Sequence, residues 1–175
     1  MSDSKLDLPV IKAIRNAIRS GNVEDLANQI GEDDSRLHFE TPFGTWLHEA
    51  AAKGQIEVAK LLIARGIDVN ARGGLSDGNP LLLAATMGQT AMVKFLLSVG
   101  GEMDTTAVER NPLMSAIYGD YPDVAKLLLD AGIDTKVKYL GESGRIKNAL
   151  SFAQEYGRTE IAQLILESAG DAAQL

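Results

Sequence analysis

The chain has 175 residues, a formal net charge of −7 and no cysteine, so disulfide bonds and thiolate metal sites are excluded. This acidic charge argues against a nucleic-acid binder, because such proteins neutralise phosphates with clustered Lys and Arg. The negative charge is consistent with a partner that has a basic surface. The alternative is that the charge serves only to keep the protein soluble. The absence of disulfide-forming cysteines and of a signal-like N-terminus favours a cytoplasmic location. No apolar run is long enough to predict a membrane-spanning helix.

Along the chain, five segments share one frame: an apolar residue, an Ala three residues later, and a Gly four residues after that. The leading apolar residues lie 33, 34, 32 and 37 residues apart, and they are Ile14, Leu47, Leu81, Leu113 and Leu150. Asp120 stands in the Gly position of the fourth copy. A sequence repeated with such a period is typical of a repeat protein, and each copy predicts one short helix.

A second apolar stripe follows each of the last four copies and predicts a second helix. These stripes are residues 58–63, 92–97, 124–129 and 161–166. Each stripe ends near a Gly, which suits the left-handed turn that closes many helices; these are Gly66, Gly100, Gly132 and Gly170. Because neither helix of a pair can bury its apolar face alone, the units are expected to stack into a solenoid.

The motifs within these units resemble those of the ankyrin-repeat family. The resemblance is carried by Thr45-Trp46-Leu47-His48-Glu49-Ala50-Ala51, by Gly54-Gln55-Ile56-Glu57-Val58, by Gly66-Ile67-Asp68-Val69-Asn70, and by the openings Asn79-Pro80-Leu81 and Asn111-Pro112-Leu113. It implies an all-α solenoid of stacked helix-turn-helix units with β-hairpin-like fingers. Between a flexible N-terminus (1–7) and a tail (171–175), one domain (8–170) holds units near 8–40, 41–74, 75–107, 108–143 and 144–170.

The resemblance also implies structural roles for particular residues. His48 is expected to hydrogen-bond between neighbouring loops, and Trp46 occupies the usual Pro position. Glycines are expected at the ends of helices, namely Gly54, Gly66, Gly88, Gly100 and Gly132. The first copy is polar and the last lacks Pro, which fits terminal repeats that present a wetter outer face.

In this family the contact positions are the two residues before the Gly that ends each first helix, together with the fingers. The candidate partner-binding residues are Lys53, Met87, Tyr118, Tyr121, Tyr139, Arg145, Glu155 and Tyr156. All four Tyr residues lie in the C-terminal half, and protein interfaces are enriched in Tyr and Met. The alternative is that these side chains partly cover neighbouring helices.

The stretch from 134 to 147 is the longest finger, and its alternation of Lys and apolar residues predicts a hairpin with its turn at 141–144. It is either functional or a tolerated surface insertion. The first finger is acidic, with Glu32, Asp33, Asp34 and Glu40. Those charges either orient a partner or form a solvated face.

No catalytic constellation is visible, so the chain is predicted to be no enzyme and to hold no cofactor or metal. His38 has no visible partner, and Gly73-Gly74 lacks the Lys of a phosphate-binding loop. Two hypotheses remain for a protein that is monomeric when free. One is an inhibitor that occludes its partner, such as a bacterial immunity-type inhibitor of a toxin. The alternative is an adaptor or scaffold subunit of a larger complex.

Overall fold

The computed structural model describes residues 7–32, 34–140 and 146–171, which are mostly helical. The helices of this part of the chain are α1 (Leu8–Ser20), α2 (Val23–Ile30), α3 (Asp34–Leu37), α4 (Trp46–Lys53), α5 (Ile56–Ala64), α6 (Pro80–Thr86), α7 (Thr90–Ser98), α8 (Pro112–Gly119), α9 (Pro122–Asp130), α10 (Ala149–Glu155) and α11 (Thr159–Asp171). A 3-10 turn covers Val108–Arg110, and two short strands are β1 (Tyr139–Leu140) and β2 (Ile146–Lys147).

The helices form two layers. Helices α1, α4, α6, α8 and α10 each contact the next of this series, and α2, α5, α7, α9 and α11 do the same. Each member of the first series also packs on the helix that closes its own pair. Within the described residues five helix pairs therefore stack one after another, and the prediction of an all-α solenoid is confirmed.

A single hydrophobic core runs through the stack, from Ile14 in the first pair to Ile165 in the last. The Ala pairs of the repeat, such as Ala50-Ala51 and Ala84-Ala85, have no exposed surface. Their small side chains let the helices of the first layer approach closely. The Leu residues that lead each internal copy are equally buried, so each unit depends on its neighbours for burial.

Asn side chains begin several of these helices. The side-chain oxygen of Asn79 accepts a hydrogen bond from the Leu82 amide, and that of Asn111 accepts from the Leu113 amide. Such a cap satisfies a helix N–H that has no partner within the helix and contributes about 1 kcal/mol. Pro at the next position loses nothing, because its missing N–H would be unpaired there.

Gly54 shows why Gly ends a first helix. Its φ of +69° lies in the left-handed region, and a Cβ there would overlap the side-chain oxygen of Gln89. Gln89, which follows the equivalent Gly of the next unit, reaches back and donates to the Ala52 carbonyl. Gln55 makes the same link to the Arg19 carbonyl one unit earlier. The Gly thus leaves room for a hydrogen bond that ties successive units together.

The polar first pair is held to the second by an ion-pair cluster. The Glu49 carboxylate accepts hydrogen bonds from Nε of Arg15, 2.9 Å away, and from Nε of Arg19, also 2.9 Å away. The Glu49 side chain is largely buried, and the Arg15 guanidinium also lies over the Phe43 ring. The polar residues of the first copy therefore serve an internal contact as well as the outer face.

Two features of the helices differ from the sequence expectations. Gly170 lies inside α11 and does not end the second helix as a left-handed cap, because α11 continues to Asp171. The first finger contains the short helix α3, which no periodicity indicated. By contrast, Gly66, Gly100 and Gly132 follow their helices with positive φ, as predicted.

The fingers join each pair to the next. Backbone bridges close two short fingers, Thr41 with Gly44 and Gly73 with Gly78. In the long finger β1 pairs antiparallel with β2, with Tyr139 opposite Lys147. The predicted hairpin is confirmed in its strands, whereas its turn at 141–144 lies outside the described residues.

Candidate protein-binding surface

His48 fastens the first-helix layer to a finger. Its Nδ1 accepts a hydrogen bond from the Thr45 amide, 3.1 Å away, so Nε2 carries the proton and donates to the Gly78 carbonyl oxygen, 3.1 Å away. The ring is fully buried. Burial lowers the pKa of His48 below its ordinary value of 6.5, although the bond to Gly78 and the charge of Glu40 oppose this. The imidazole is therefore a neutral bridge between adjacent loops.

Trp46, at the usual Pro position, anchors the first finger. Its indole is fully buried, and Nε1 donates a hydrogen bond to the Arg36 carbonyl at 2.7 Å. The ring stacks on Phe39 with the centroids 5.9 Å apart. A residue far larger than Pro thus holds α3 against α4.

Asp104 joins the next two fingers through a polar network. Burial by itself raises the pKa of its carboxyl, but hydrogen bonds from Thr106 and Arg110 lower that pKa to about 2. Arg72 of the preceding finger also reaches it, 3.2 Å away. A cavity of about 380 Å³ beside this network is lined by groups already engaged with one another, such as Arg72 and Asp104. Hydrogen bonds and ion pairs to Asp104 therefore link these two fingers.

A larger cavity of about 620 Å³ opens between the long finger and the first-helix layer. We call it the inner groove. It is lined by Thr86, Val108, Glu109, Met114, Ser115, Tyr118, Tyr139, Leu140, Lys147, Phe152, Glu155 and Tyr156. Its lining comes from α6, the 3-10 turn, α8, the hairpin and α10. The groove is therefore built by three successive helix pairs and the fingers between them.

Three aromatic rings form one side of the inner groove. The rings of Tyr118 and Tyr156 meet edge to face with centroids 5.7 Å apart, and the Phe152 ring packs against the Tyr156 ring with centroids 4.7 Å apart. Tyr118 is 66% exposed and Tyr156 is 41% exposed. Large exposed aromatic groups held on rigid helices are typical of protein-binding surfaces.

The predicted partner-binding residues divide by position. Tyr118, Tyr139, Glu155 and Tyr156 line the inner groove. Met87, at the end of α6, is 54% exposed but is not part of the groove lining, and Lys53 is exposed at the end of α4. Arg145 lies outside the described residues. The partner-binding roles of all these residues stay predictions.

Two of the candidate tyrosines have internal contacts that sequence reasoning missed. The Tyr139 hydroxyl donates to the Thr105 carbonyl at 2.7 Å and accepts from the side chain of Asn111 at 2.9 Å. Burial raises the pKa of that hydroxyl. The ring of Tyr121 lies against Gly88, where a Cβ would be only 2.8 Å from it. Both residues therefore support the stack whatever else they bind.

Sequence reasoning also missed part of the groove lining. Ser115 precedes Tyr118 by three residues on α8, and Phe152 precedes Tyr156 by four on α10. Residues three or four apart share one face of a helix, so this spacing was a usable signal. Lys147 forms an ion pair with Glu155 and joins the hairpin to α10. That contact depends on how the finger folds back, which helical spacing does not indicate.

The part of the chain that the structure describes contains neither a metal-binding cluster nor a membrane-spanning helix. No group of three or more His, Asp or Glu side chains there is placed to hold a metal ion. No helix there is long and apolar enough to cross a membrane.

The stacked helix pairs, the fingers and the groove define a repeat protein of the helix-turn-helix solenoid class. A family model for three ankyrin repeats matches residues 47–139, and the chain belongs to the ankyrin-repeat family. Ankyrin repeats are protein–protein interaction modules and are generally not catalytic.

Several curated proteins are similar to this chain. Ankyrin repeat and KH domain-containing protein mask-1 of Caenorhabditis elegans is 33% identical over 132 residues, which cover 71% of this chain and 5% of that protein. Protein phosphatase 1 regulatory subunit 27 of Homo sapiens is 27% identical over 135 residues, covering 77% of this chain and 87% of that protein. Ankyrin repeat and SOCS box protein 11 of Pongo abelii is 28% identical over 141 residues, covering 81% of this chain and 42% of that protein. The chain thus spans a small part of the first of these relatives and most of the second.

Proposed function

We propose that this protein binds a partner protein through the inner groove, in its C-terminal half, and regulates or recruits that partner as an adaptor. The observation that carries the proposal is the exposed pair of Tyr118 and Tyr156 on the wall of a 620 Å³ cavity. An aromatic pair left open to water on the wall of a cavity gains much binding free energy when a partner covers it.

The groove is prepared for binding before a partner arrives. Its aromatic wall stands on α8 and α10, whose backbones are fixed by the stack, and the rings of Tyr156 and Phe152 support each other. The hairpin opposite is tied down by the Tyr139 hydroxyl and by the ion pair of Lys147. Because these groups lose little freedom on binding, more of the contact energy is available as affinity.

Met87 and Lys53 extend this surface toward the N-terminal units. They occupy, at the ends of α6 and α4, the positions equivalent to that of Tyr156 at the end of α10, and both are exposed. We propose them as peripheral contacts, with Arg145 in the long finger as a further candidate. Tyr121 and Tyr139 are proposed to act by holding the groove in shape.

The adaptor is preferred over the inhibitor because of the relatives. One is named as a regulatory subunit of protein phosphatase 1, and the alignment covers most of its length. Another carries a SOCS box beside its ankyrin repeats. No relative reported above supports an immunity-type inhibitor of a toxin. Inhibition by occlusion remains the second candidate, since a groove filled by part of an enzyme would cover that part.

The test is affinity capture from cells with the full chain as bait, followed by mass spectrometry. The wild type is compared with the double variant Tyr118→Ala/Tyr156→Ala. We expect the double variant to lose its main partner, because truncation of a buried aromatic anchor costs about 2 kcal/mol or more of binding, roughly thirtyfold in affinity. A partner that retains its activity in the complex supports the adaptor, and one that loses it supports inhibition.

The matched control is Leu166→Ala, which removes a large side chain that is 48% exposed on α11 and is not part of the groove lining. Circular dichroism and urea unfolding confirm that each variant is folded. The proposal is wrong if the folded double variant captures the same partner as the wild type in the same amount.

A further inference from the structure

We propose that the inner groove receives an arginine side chain of the partner protein, which stacks on the aromatic wall and is bound by the carboxylates beside it. This inference rests on the proposed function and specifies the chemistry of the partner. The residues that carry it are Tyr118, Tyr156, Glu109, Glu155 and Ser115.

The aromatic wall has the shape for a planar cation. The ring planes of Tyr118 and Tyr156 are inclined at 62°, so the two rings form a corner that opens into the cavity. Phe152 supports the Tyr156 ring at a centroid distance of 4.7 Å. A guanidinium group stacks on such rings and is attracted by their π-electrons, more readily than the smaller and more strongly hydrated ammonium of Lys.

The charges of the lining select against an anionic occupant. Glu109 and Glu155 both line the cavity, and Lys147 is the one basic side chain among the described residues that line it. The Lys147 ammonium is paired with Oε2 of Glu155, and its side chain is only 20% exposed. Because that charge is already neutralised, an acidic peptide would meet a net negative site.

Acceptors for a guanidinium are also free. The Glu109 side chain is exposed and has no hydrogen bond or ion pair within the described residues. Glu155 is 53% exposed, and its ion pair with Lys147 uses Oε2. Ser115 is half-buried and lies on the same face of α8 as Tyr118. Among the described residues its hydroxyl likewise has no hydrogen-bond partner. Several acceptors around an aromatic corner match the five N–H donors of arginine.

The test uses defined peptides. A random dodecapeptide phage library is selected against the immobilised full chain, and the enriched peptides are synthesised. Their binding is titrated by fluorescence anisotropy against wild type, Glu109→Gln and Tyr118→Ala. Each peptide is also made with citrulline in place of arginine, which keeps the shape of the side chain and removes its charge.

We expect enriched peptides to share one arginine flanked by apolar residues. The citrulline form should bind about tenfold more weakly, as expected for loss of a charge-assisted contact on an aromatic wall. Glu109→Gln should weaken the arginine peptide several-fold and leave the citrulline peptide unchanged, because the two changes remove the same interaction. The control variant Glu24→Gln, an exposed carboxylate on α2, should bind both peptides like the wild type.

Peptides that lack arginine but bind less well to Tyr118→Ala would overturn the arginine assignment and leave the proposed function standing. Peptides that bind all variants equally would overturn the assignment and count against the groove as well. A selection that yields no peptide sensitive to either groove variant also overturns the assignment. The capture experiment with the double tyrosine variant then decides the proposed function independently.

Discussion

The imidazole of His48 donates a hydrogen bond to the carbonyl oxygen of Gly78, which lies thirty residues further along the chain and 3.1 Å away in space. On its other side the same ring accepts from the Thr45 amide at the start of α4. One neutral side chain therefore joins the beginning of a helix to the finger of the following unit. A proton added at Nδ1 would remove the acceptor that Thr45 uses.

The first prediction concerns the pH dependence of stability. Because burial lowers the pKa of His48 below the 6.5 of an unfolded chain, the unfolded state binds a proton more readily than the folded state. The stability that neutral His48 contributes is present above about pH 6.5 and falls as pH drops below it. His48→Gln should flatten the change in unfolding free energy between pH 7.5 and 5.5, measured by urea denaturation.

The control for His48 is His38→Gln, which replaces an exposed histidine in the first finger. This variant should keep the pH slope of the wild type. If His48→Gln keeps the full slope as well, the pH dependence arises elsewhere in the molecule.

Asp104 gives a second pH effect, in the acid range. Hydrogen bonds from Thr106 and Arg110 outweigh burial and hold its pKa at about 2, below the ordinary value of 3.8. The stability from this carboxylate is complete above pH 4 and is lost as pH falls from there toward 2. Since the neighbouring arginines are partly solvated, we expect Asp104→Asn to lose only about 1 kcal/mol at pH 7. The difference from wild type, read from urea unfolding curves, should begin to shrink as pH falls below about 4.

Asp130→Asn is the comparison for Asp104. Asp130 is exposed and pairs with a single Lys on the same helix, so its replacement should change the unfolding free energy by less than about 0.5 kcal/mol. A loss at Asp104 no greater than the loss at Asp130 would mean that the finger network adds no stability.

A third prediction concerns Asp120, which stands where the other units have Gly. Its φ is +60°, and its carboxylate lies 3.2 Å from the Arg158 guanidinium of the next unit. Asp120→Gly relieves the left-handed strain and loses an exposed ion pair, so its stability should lie within about 0.5 kcal/mol of wild type. Asp120→Ala keeps the strain and loses the pair, and it should be about 1 kcal/mol less stable. Urea denaturation measures the unfolding free energy of both variants. An alanine variant as stable as the glycine variant would contradict the claim that the left-handed backbone at position 120 is strained.

The helix pairs and their stacking were predicted well from the sequence because the same local pattern occurs in each copy of the repeat. The Ala residues that follow Leu47, Leu81 and Leu113 identify the buried face of three first helices, and agreement between copies corrects the ambiguity of any one of them. The error at Gly170 arose because this Gly stands one position later in its stripe than Gly66, Gly100 and Gly132 stand in theirs. The helix α11 continues through it.

The groove was predicted less completely because it depends on contacts between units. Tyr118 and Tyr156 were found from a family position, but nothing local showed that the Tyr139 hydroxyl reaches Thr105. That pair is 34 residues apart, close to the repeat period, so stacking places the two residues side by side. Side-chain pairs separated by one period are therefore the signal to search for in other repeat sequences.

Trp46 provides the last prediction, since it departs from the family pattern at a buried position. Restoring the family residue with Trp46→Pro suits the first turn of α4, where Pro costs the backbone nothing. It nevertheless removes the stacking on Phe39 and the hydrogen bond to the Arg36 carbonyl, and it leaves a large cavity. We expect a loss of about 3–5 kcal/mol, as for other deletions of a buried aromatic side chain.

Trp46→Phe keeps a ring and loses the hydrogen bond, and should cost about 1–2 kcal/mol. Urea unfolding followed by circular dichroism measures both, and a proline variant as stable as wild type would show that the first finger is held without the indole.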